Sequence, residues 1–191
     1  MAYEWIVFVG AAVQLLGIIG YIKETLRGNT KPNKVTWLMW AVAPLIATFA
    51  AVSDGVSWAV LPVFMAGFGP LLVLISSFMN RNAYWKLERF DYLCGICSLL
   101  ALVLWGITNE PAVAIAFAIA SDGFAAVPTL MKMWTRQETE TISPFTAGLF
   151  GALTSFFAIQ IWSFSAYAFP AYLAIIDILF IFAFYRRRLL K

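Results

Sequence analysis

Residues 111–131 read PAVAIAFAIASDGFAAVPTLM, an apolar run that is interrupted by a single charged side chain, Asp122. A helix of about 20 mostly apolar residues is long enough to cross the hydrocarbon core of a bilayer. The run lacks the regular alternation of apolar and polar residues that marks transmembrane strands. It therefore predicts a membrane-spanning helix with one carboxyl group near its middle.

Six further apolar runs flank this one, and the loops between them are short. The seven predicted spans cover residues 4–22, 35–53, 56–79, 92–108, 111–131, 143–161 and 164–185. The chain is 62% apolar and 12% charged, whereas soluble domains are about 45–50% apolar and about 25% charged. These proportions exclude a disordered chain, a coiled coil and a nucleic-acid-binding domain. The sequence predicts an all-α, multi-pass integral membrane protein in a lipid bilayer.

The basic residues are confined to four segments of the chain. All 13 Lys and Arg residues lie between spans 1 and 2, between spans 3 and 4, between spans 5 and 6, or in the tail after span 7. With seven spans, these four segments face one side of the membrane, and Glu4, Asp54 and Glu110 face the other. Positively charged loops stay in the cytoplasm. We therefore expect the N-terminus outside and the C-terminus in the cytoplasm.

The chain resembles itself when it is shifted by about 107 residues. Thr36 at the start of span 2 then falls on Ser143 at the start of span 6, and Pro62 falls close to Pro170. Spans 1–3 match spans 5–7, and span 4 remains as a linker.

This match predicts two three-helix repeats joined by a linker helix, a 3+1+3 arrangement. Residues 1–80 form the first repeat, 81–109 the linker loop and helix 4, and 110–191 the second repeat with a basic tail. The linker helix returns the chain to its starting side, so the repeats are parallel. Transporters of this design bind their substrate near mid-membrane between the halves.

A short motif connects spans 5 and 6. Pro128-Thr129 is followed by a short basic loop and by Ser143, which opens the next span. This pattern resembles the PQ-loop signature, although Thr129 replaces its Gln and the first repeat has Tyr21-Ile22 at that place. The 3+1+3 plan resembles the SWEET sugar transporters and their PQ-loop relatives, which include lysosomal amino-acid exporters and the KDEL receptor. The resemblance covers the whole chain in topology and about 20 residues in motif, and it implies a solute transporter.

Two acids, Asp122 and Asp177, lie near the middle of predicted spans 5 and 7. An ionised Asp at this depth costs about 2.5–3.5 kcal/mol on the insertion scale. The predicted spans contain no basic residue, so each acid must be protonated, hydrated or bound to a cation. Both are candidates for binding substrate or protons, and the alternative is a protonated side chain that links helices. The resemblance favours a proton site at Asp122, because proton-coupled PQ-loop transporters carry an acid shortly before the Pro. It places Asp177 where SWEET-like proteins have a pocket Asn.

Four other residues complete the candidate site. Gln14 lies mid-span, close to the equivalent of Asp122 in the other repeat, and could bond either a substrate or a neighbouring helix. Pro62, Pro128 and Pro170 each remove a helix hydrogen bond. We interpret them as hinges, with static kinks as the alternative.

These features predict a transporter of a small polar solute, sugar-like or amino-acid-like, that works by alternating access. Protons and a second copy of the chain are candidate partners. A non-transporting receptor on the same scaffold is the alternative. We predict no enzyme activity, cofactor or metal site, because the chain has no His and no hydrolase or protease motif. The Cys94–Cys97 pair is interpreted as small packing residues.

Overall fold

The computed structural model describes residues 4–80, 85–105, 107 and 110–189, and these residues form α helices, short 3-10 turns and loops without a strand. The helices are α1 (Ile6–Arg27), α2 (Lys34–Ser53), α3 (Leu61–Met79), α4 (Arg89–Trp105), α5 (Pro111–Arg136), α6 (Ser143–Ala158) and α7 (Phe164–Leu189). Single 3-10 turns, Trp58–Val60 and Gln137–Thr139, precede α3 and follow α5. Arg81, Lys191 and the side chain of Cys97 lie outside the described part of the chain.

Five of these helices, α1, α2, α3, α5 and α7, are long and apolar enough to cross a membrane. The other two are shorter, since α4 has 17 residues and α6 has 16. At 1.5 Å per residue, they extend about 24–26 Å, against about 30 Å for the hydrocarbon core. The all-α class is thus confirmed, and the apolar helices are consistent with an integral membrane protein.

Local sequence signals set the turn between α1 and α2. Gly28 ends α1 in the left-handed region (φ 82°), which glycine adopts without steric cost. Asn33 begins α2, where its side-chain oxygen accepts hydrogen bonds from the backbone N–H groups of Val35 and Thr36. The turn is therefore held at both ends.

The helices pack in two sets that contact each other. α3 lies against α1 and α2, while α7 lies against α5 and α6. Between the sets, α1 packs on α6 and α2 packs on α5. α4 packs chiefly on α5, with a smaller contact to α2.

Small residues bring α1 and α6 close together. A Cβ atom added at Gly17 would lie 2.5 Å from Cβ of Ala147 and 2.7 Å from the carbonyl oxygen of Ser143. Gly10 is in similar contact with the side chain of Thr154. Only residues without a side chain allow this approach of backbones, a packing mode typical of helices in membranes.

The two ends of the bundle differ in charge. We call the end with the α1–α2, α3–α4 and α5–α6 connections the basic end, because Lys and Arg residues concentrate there. At this end the Lys31 N–H donates to the carbonyl of Thr139 (3.1 Å) and Thr30 bonds to Thr141. At the opposite end, Phe8 contacts Trp58 and Gln160 bonds to Glu4.

Helix α5 is longer than the sequence predicted, because it continues past residue 131 to Arg136. Lys132 therefore lies within the helix rather than in a loop. Its ammonium group is buried and forms an ion pair with Glu140 (2.5 Å), which offsets the cost of removing the charge from water. Hydropathy assigns both side chains to the loop between predicted spans 5 and 6, so the sequence did not predict this ion pair.

Candidate functional site

A cavity lies between the two sets of helices, and we call it the central cavity. It has a volume of about 70 Å³. Its lining combines residues of α1, α2, α3, α5, α6 and α7: Gln14, Ile18, Trp37, Trp40, Met65, Ala66, Pro70, Asp122, Pro144, Phe145, Gly148, Leu173, Ile176, Asp177 and Phe180. The three polar residues that the sequence analysis selected from different helices, Gln14, Asp122 and Asp177, thus line one cavity.

Asp122 is almost fully buried, with 3% of its surface exposed. Its Oδ2 accepts a hydrogen bond from the Tyr172 hydroxyl (2.7 Å), which joins α5 to α7. Its backbone carbonyl accepts a bond from Trp40 Nε1 (3.3 Å) on α2. Neither bond neutralises a carboxylate, so Asp122 is either protonated or, when ionised, requires water or a bound cation beside it.

Asp177 faces the same cavity from α7, and 8% of its surface is exposed. A Cβ atom added at Gly148 on α6 would lie 2.5 Å from its Oδ2. Glycine at this position therefore makes room for the carboxyl group between α6 and α7. Asp177 and Asp122 thus line the same cavity from α7 and α5.

Gln14 enters the cavity from α1. Its Nε2 donates to the backbone carbonyl of Pro62 (3.2 Å) on α3, and its amide lies directly against Gly151 on α6. This bond fixes the orientation of the amide, because the donor nitrogen must point to the carbonyl. The oxygen Oε1 is buried and has no hydrogen-bond partner among the described residues.

An aromatic cluster forms the wall of the cavity toward the basic end. The ring of Trp40 lies edge-on to Trp37 (5.3 Å between centroids), Phe180 (5.5 Å) and Phe145 (6.0 Å). These rings line the cavity together with the two acids. The site therefore combines a largely apolar surface with a few polar atoms, as ligand sites commonly do.

The prolines occupy different environments. Pro128 and Pro170 lie inside α5 and α7, as expected for kinks. Pro62 is in the first turn of α3, where a missing N–H breaks no helix hydrogen bond. The expectation that Pro62 interrupts a span is therefore corrected. Its observed contact is the bond from Gln14, and a hinge role for any proline stays a prediction.

A buried polar network lies beyond the aromatic wall, at the basic end. Glu140 accepts a hydrogen bond from the Tyr21 hydroxyl (2.7 Å) and pairs with Lys132. Lys132 also donates to the carbonyl of Lys31 and lies 4.5 Å from the centre of the Trp85 ring. The network ties α1, α5 and both adjoining loops together, and we call it the basic-end network.

Two residues of these sites, Tyr172 and Glu140, could not be predicted from the sequence. Tyr172 has a hydroxyl that suits a buried acid, but its pairing with Asp122 depends on the contact of α5 with α7. Glu140 is surrounded by polar residues in the sequence, which is typical of an exposed loop. Only the fold brings it to Lys132 and Tyr21.

The chain was compared with models of known protein families, with curated proteins and with solved structures. No family model matches it, and neither a curated protein nor a solved structure does.

Proposed function

We propose that this protein transports a small polar solute across a membrane by alternating access, with Asp122 and Asp177 as the sites of proton or solute binding. The observation that carries the proposal is the shared cavity, in which Gln14, Asp122 and Asp177 meet between the two sets of helices. Buried acids without a basic partner are costly in a membrane and are typical of solute and proton pathways.

The proposal includes a 3+1+3 architecture, in which α1–α3 and α5–α7 form parallel halves and α4 is the linker. The helix contacts support it, because α1 and α2 pack on α6 and α5 in a reciprocal manner. Two hydrogen bonds support it further. Thr36 on α2 donates to the carbonyl of Ala125 on α5 (2.9 Å), and Ser143 on α6 donates to the carbonyl of Gly17 on α1 (2.9 Å).

These two bonds are related by the same shift that aligns the repeats in the sequence. Thr36 and Ser143 are about 107 residues apart, and so are their acceptors. Gln14 and Asp122 are a similar pair, since each bonds to the third helix of its own half. A two-fold axis along the membrane normal would relate such contacts. These features also support membership of the PQ-loop superfamily. We propose this membership because the motif at Pro128 and Ser143 resembles the PQ-loop signature.

The charge pattern supports an orientation with the basic end in the cytoplasm and the N-terminus outside. In that orientation the basic-end network closes the cavity on the cytoplasmic side. Opening to the cytoplasm would separate Tyr21 and Lys31 in the first half from Glu140 and Lys132 in the second. Pro128 and Pro170 are the proposed sites of bending.

Each carboxyl group has a defined role in this scheme. A neutral Asp122 or Asp177 allows the cavity to close without an unpaired charge, whereas an ionised one requires a cation or water. Protonation and solute binding would therefore bias the equilibrium between open and closed states. Such coupling makes transport depend on pH.

Counterflow in proteoliposomes tests this function. Vesicles loaded with an unlabelled solute are diluted into trace labelled solute, with sugars, amino acids and amines tested in separate pools. We expect transient accumulation of label for at least one pool. Empty liposomes are the control. Binding of a solute without accumulation of label would contradict transport and would instead favour the receptor.

A further inference from the structure

We infer that the solute is a small organic cation with an apolar body, such as an alkyl- or arylammonium ion, and that it exchanges with protons at Asp122 and Asp177. This inference rests on the proposed transport function and narrows its substrate class. It is drawn from the charges, the acceptor atoms and the aromatic rings of the central cavity.

The balance of charge is the first argument. Among the described residues, the cavity lining contains two acids and no lysine or arginine. Tyr172 on α7 is a titratable group and donates a hydrogen bond to Asp122, while the described residues of α1, α2, α3 and α6 contribute no charged side chain to the lining. On α4, which also packs on α5, Asp91 bonds to Asn33 and lies outside the cavity. When a carboxyl group in this cavity is ionised, its compensating charge must therefore come from the ligand, and without a ligand the carboxyl group is protonated.

The acceptor atoms are the second argument. Gln14 Nε2 is occupied by the carbonyl of Pro62, so the amide offers Oε1 to the site. That oxygen is buried and has no donor within the part of the chain that the structure describes, which is costly unless a donor on the ligand reaches it. An ammonium group has up to three N–H donors, and it suits this oxygen together with one carboxylate and the carbonyl oxygen of the other, protonated carboxyl group of Asp122 and Asp177.

The aromatic wall is the third argument. Trp37, Trp40, Phe145 and Phe180 surround the side of the cavity toward the basic end. Aromatic rings attract cations through their negative faces and also pack against apolar groups. An ion that carries a hydrocarbon body satisfies both requirements at once.

The same features disfavour a carboxylate on the ligand. The buried cation nearest along α5 is Lys132, which lies ten residues beyond Asp122, or about 15 Å along the helix. Its ammonium is engaged by Glu140 and by the carbonyl of Lys31. A zwitterionic amino acid would therefore leave its carboxylate unpaired beside two acids.

The exchange conserves charge. When an organic cation enters, a protonated carboxyl releases its proton to water and the resulting carboxylate pairs with the cation. When the cation leaves, the carboxylate takes up a proton. The total charge in the cavity is then the same in both states, so the cavity can close around either.

Three ligands with the same ring test the inference. Phenethylammonium, phenylalanine and phenethyl alcohol represent a cation, its carboxylated form and a neutral analogue. We measure their binding to the purified protein by calorimetry, and proton release with a pH indicator in weak buffer. We expect phenethylammonium to bind at least about tenfold more tightly than the other two. We also expect its binding to release protons and to weaken as the pH falls.

The variants Asp122→Asn and Asp177→Asn should each weaken phenethylammonium binding by about tenfold or more. The double variant should release no protons in the presence of phenethylammonium, whether it binds the ligand weakly or does not bind it. Asp54→Asn is the matched control, because it removes an exposed acid outside the central cavity and should leave binding unchanged. Equal or tighter binding of phenylalanine or phenethyl alcohol would overturn the inference, as would the absence of phenethylammonium binding.

Counterflow of labelled phenethylammonium separates this inference from the proposed function. Binding with proton release but without counterflow would retain the cationic ligand and reject transport. Counterflow of a sugar or an amino acid that phenethylammonium does not inhibit would retain transport and reject the cationic class.

Discussion

Asp122→Asn is expected to reduce the dependence of transport on pH strongly, while Asp177 remains as a second proton site. Asn has nearly the same size as Asp and still accepts the hydrogen bond from Tyr172, but it neither binds nor releases a proton. The transport rate of the wild type should change by up to about tenfold per pH unit over part of the range between about pH 5 and about pH 8. The rate of the variant should change by less than about threefold per pH unit over the same range, and the rate of the double variant with Asp177→Asn should stay within about twofold.

The measurement is the initial rate of solute exchange in proteoliposomes with equal pH on both sides. Asp54→Asn serves as the control and should keep the wild-type profile. If Asp122→Asn retains the wild-type dependence on pH, proton coupling through Asp122 is wrong.

The second large effect concerns the basic-end network. Glu140→Gln or Lys132→Met alone should lower the free energy of unfolding by about 3–5 kcal/mol, because each leaves a buried charge without its partner. The double variant Lys132→Met with Glu140→Leu should recover most of this loss, since it buries no charge. Equilibrium unfolding in mixed micelles measures all three variants.

Glu138→Gln provides the matched control for this experiment. Glu138 lies two residues before Glu140 but is exposed, so its replacement should change stability by less than about 0.5 kcal/mol. Equal losses for the Glu138 and Glu140 variants would show that the buried pair is not the source of stability. A double variant as unstable as the sum of the single variants would show the same.

The sequence predicted the helices well, because membrane helices depend on long apolar runs. The run 111–131 corresponds to most of α5, and the run 35–53 corresponds to α2 within one residue. The prediction failed at the end of α5, where hydropathy alone cannot tell a loop lysine from a helical one. Lys132 remains in the helix because its partner Glu140, eight residues away, is buried with it.

The polar residues of the site were also accessible from the sequence, since charged and amide side chains are conspicuous within apolar runs. The contacts around these residues could not be predicted from the sequence. The bond from Tyr172 to Asp122 and the space that Gly148 leaves for Asp177 depend on which helices are neighbours. Internal repetition predicted two three-helix halves, but it did not indicate which side chains would face each other.

The most direct measurement is the reactivity of a cysteine placed in the central cavity. Ala66 lines the cavity from α3, whereas Ile178 is exposed on the outer face of α7, one residue from Asp177. Each is replaced by Cys in a background with Cys94→Ala and Cys97→Ala, and the rate of reaction with 2-aminoethyl methanethiosulfonate is measured in vesicles. The cysteine thiolate attacks the sulfenyl sulfur of this reagent, forms a mixed disulfide and releases methanesulfinate, and the thiolate forms where the thiol is in contact with water.

A water-filled cleft between the halves predicts that Ala66→Cys reacts at least about tenfold faster than Ile178→Cys, and that bound solute slows the reaction. Equal, slow reaction of both cysteines would mean that the cavity is dry and closed to solutes. That result would contradict the proposed transport path.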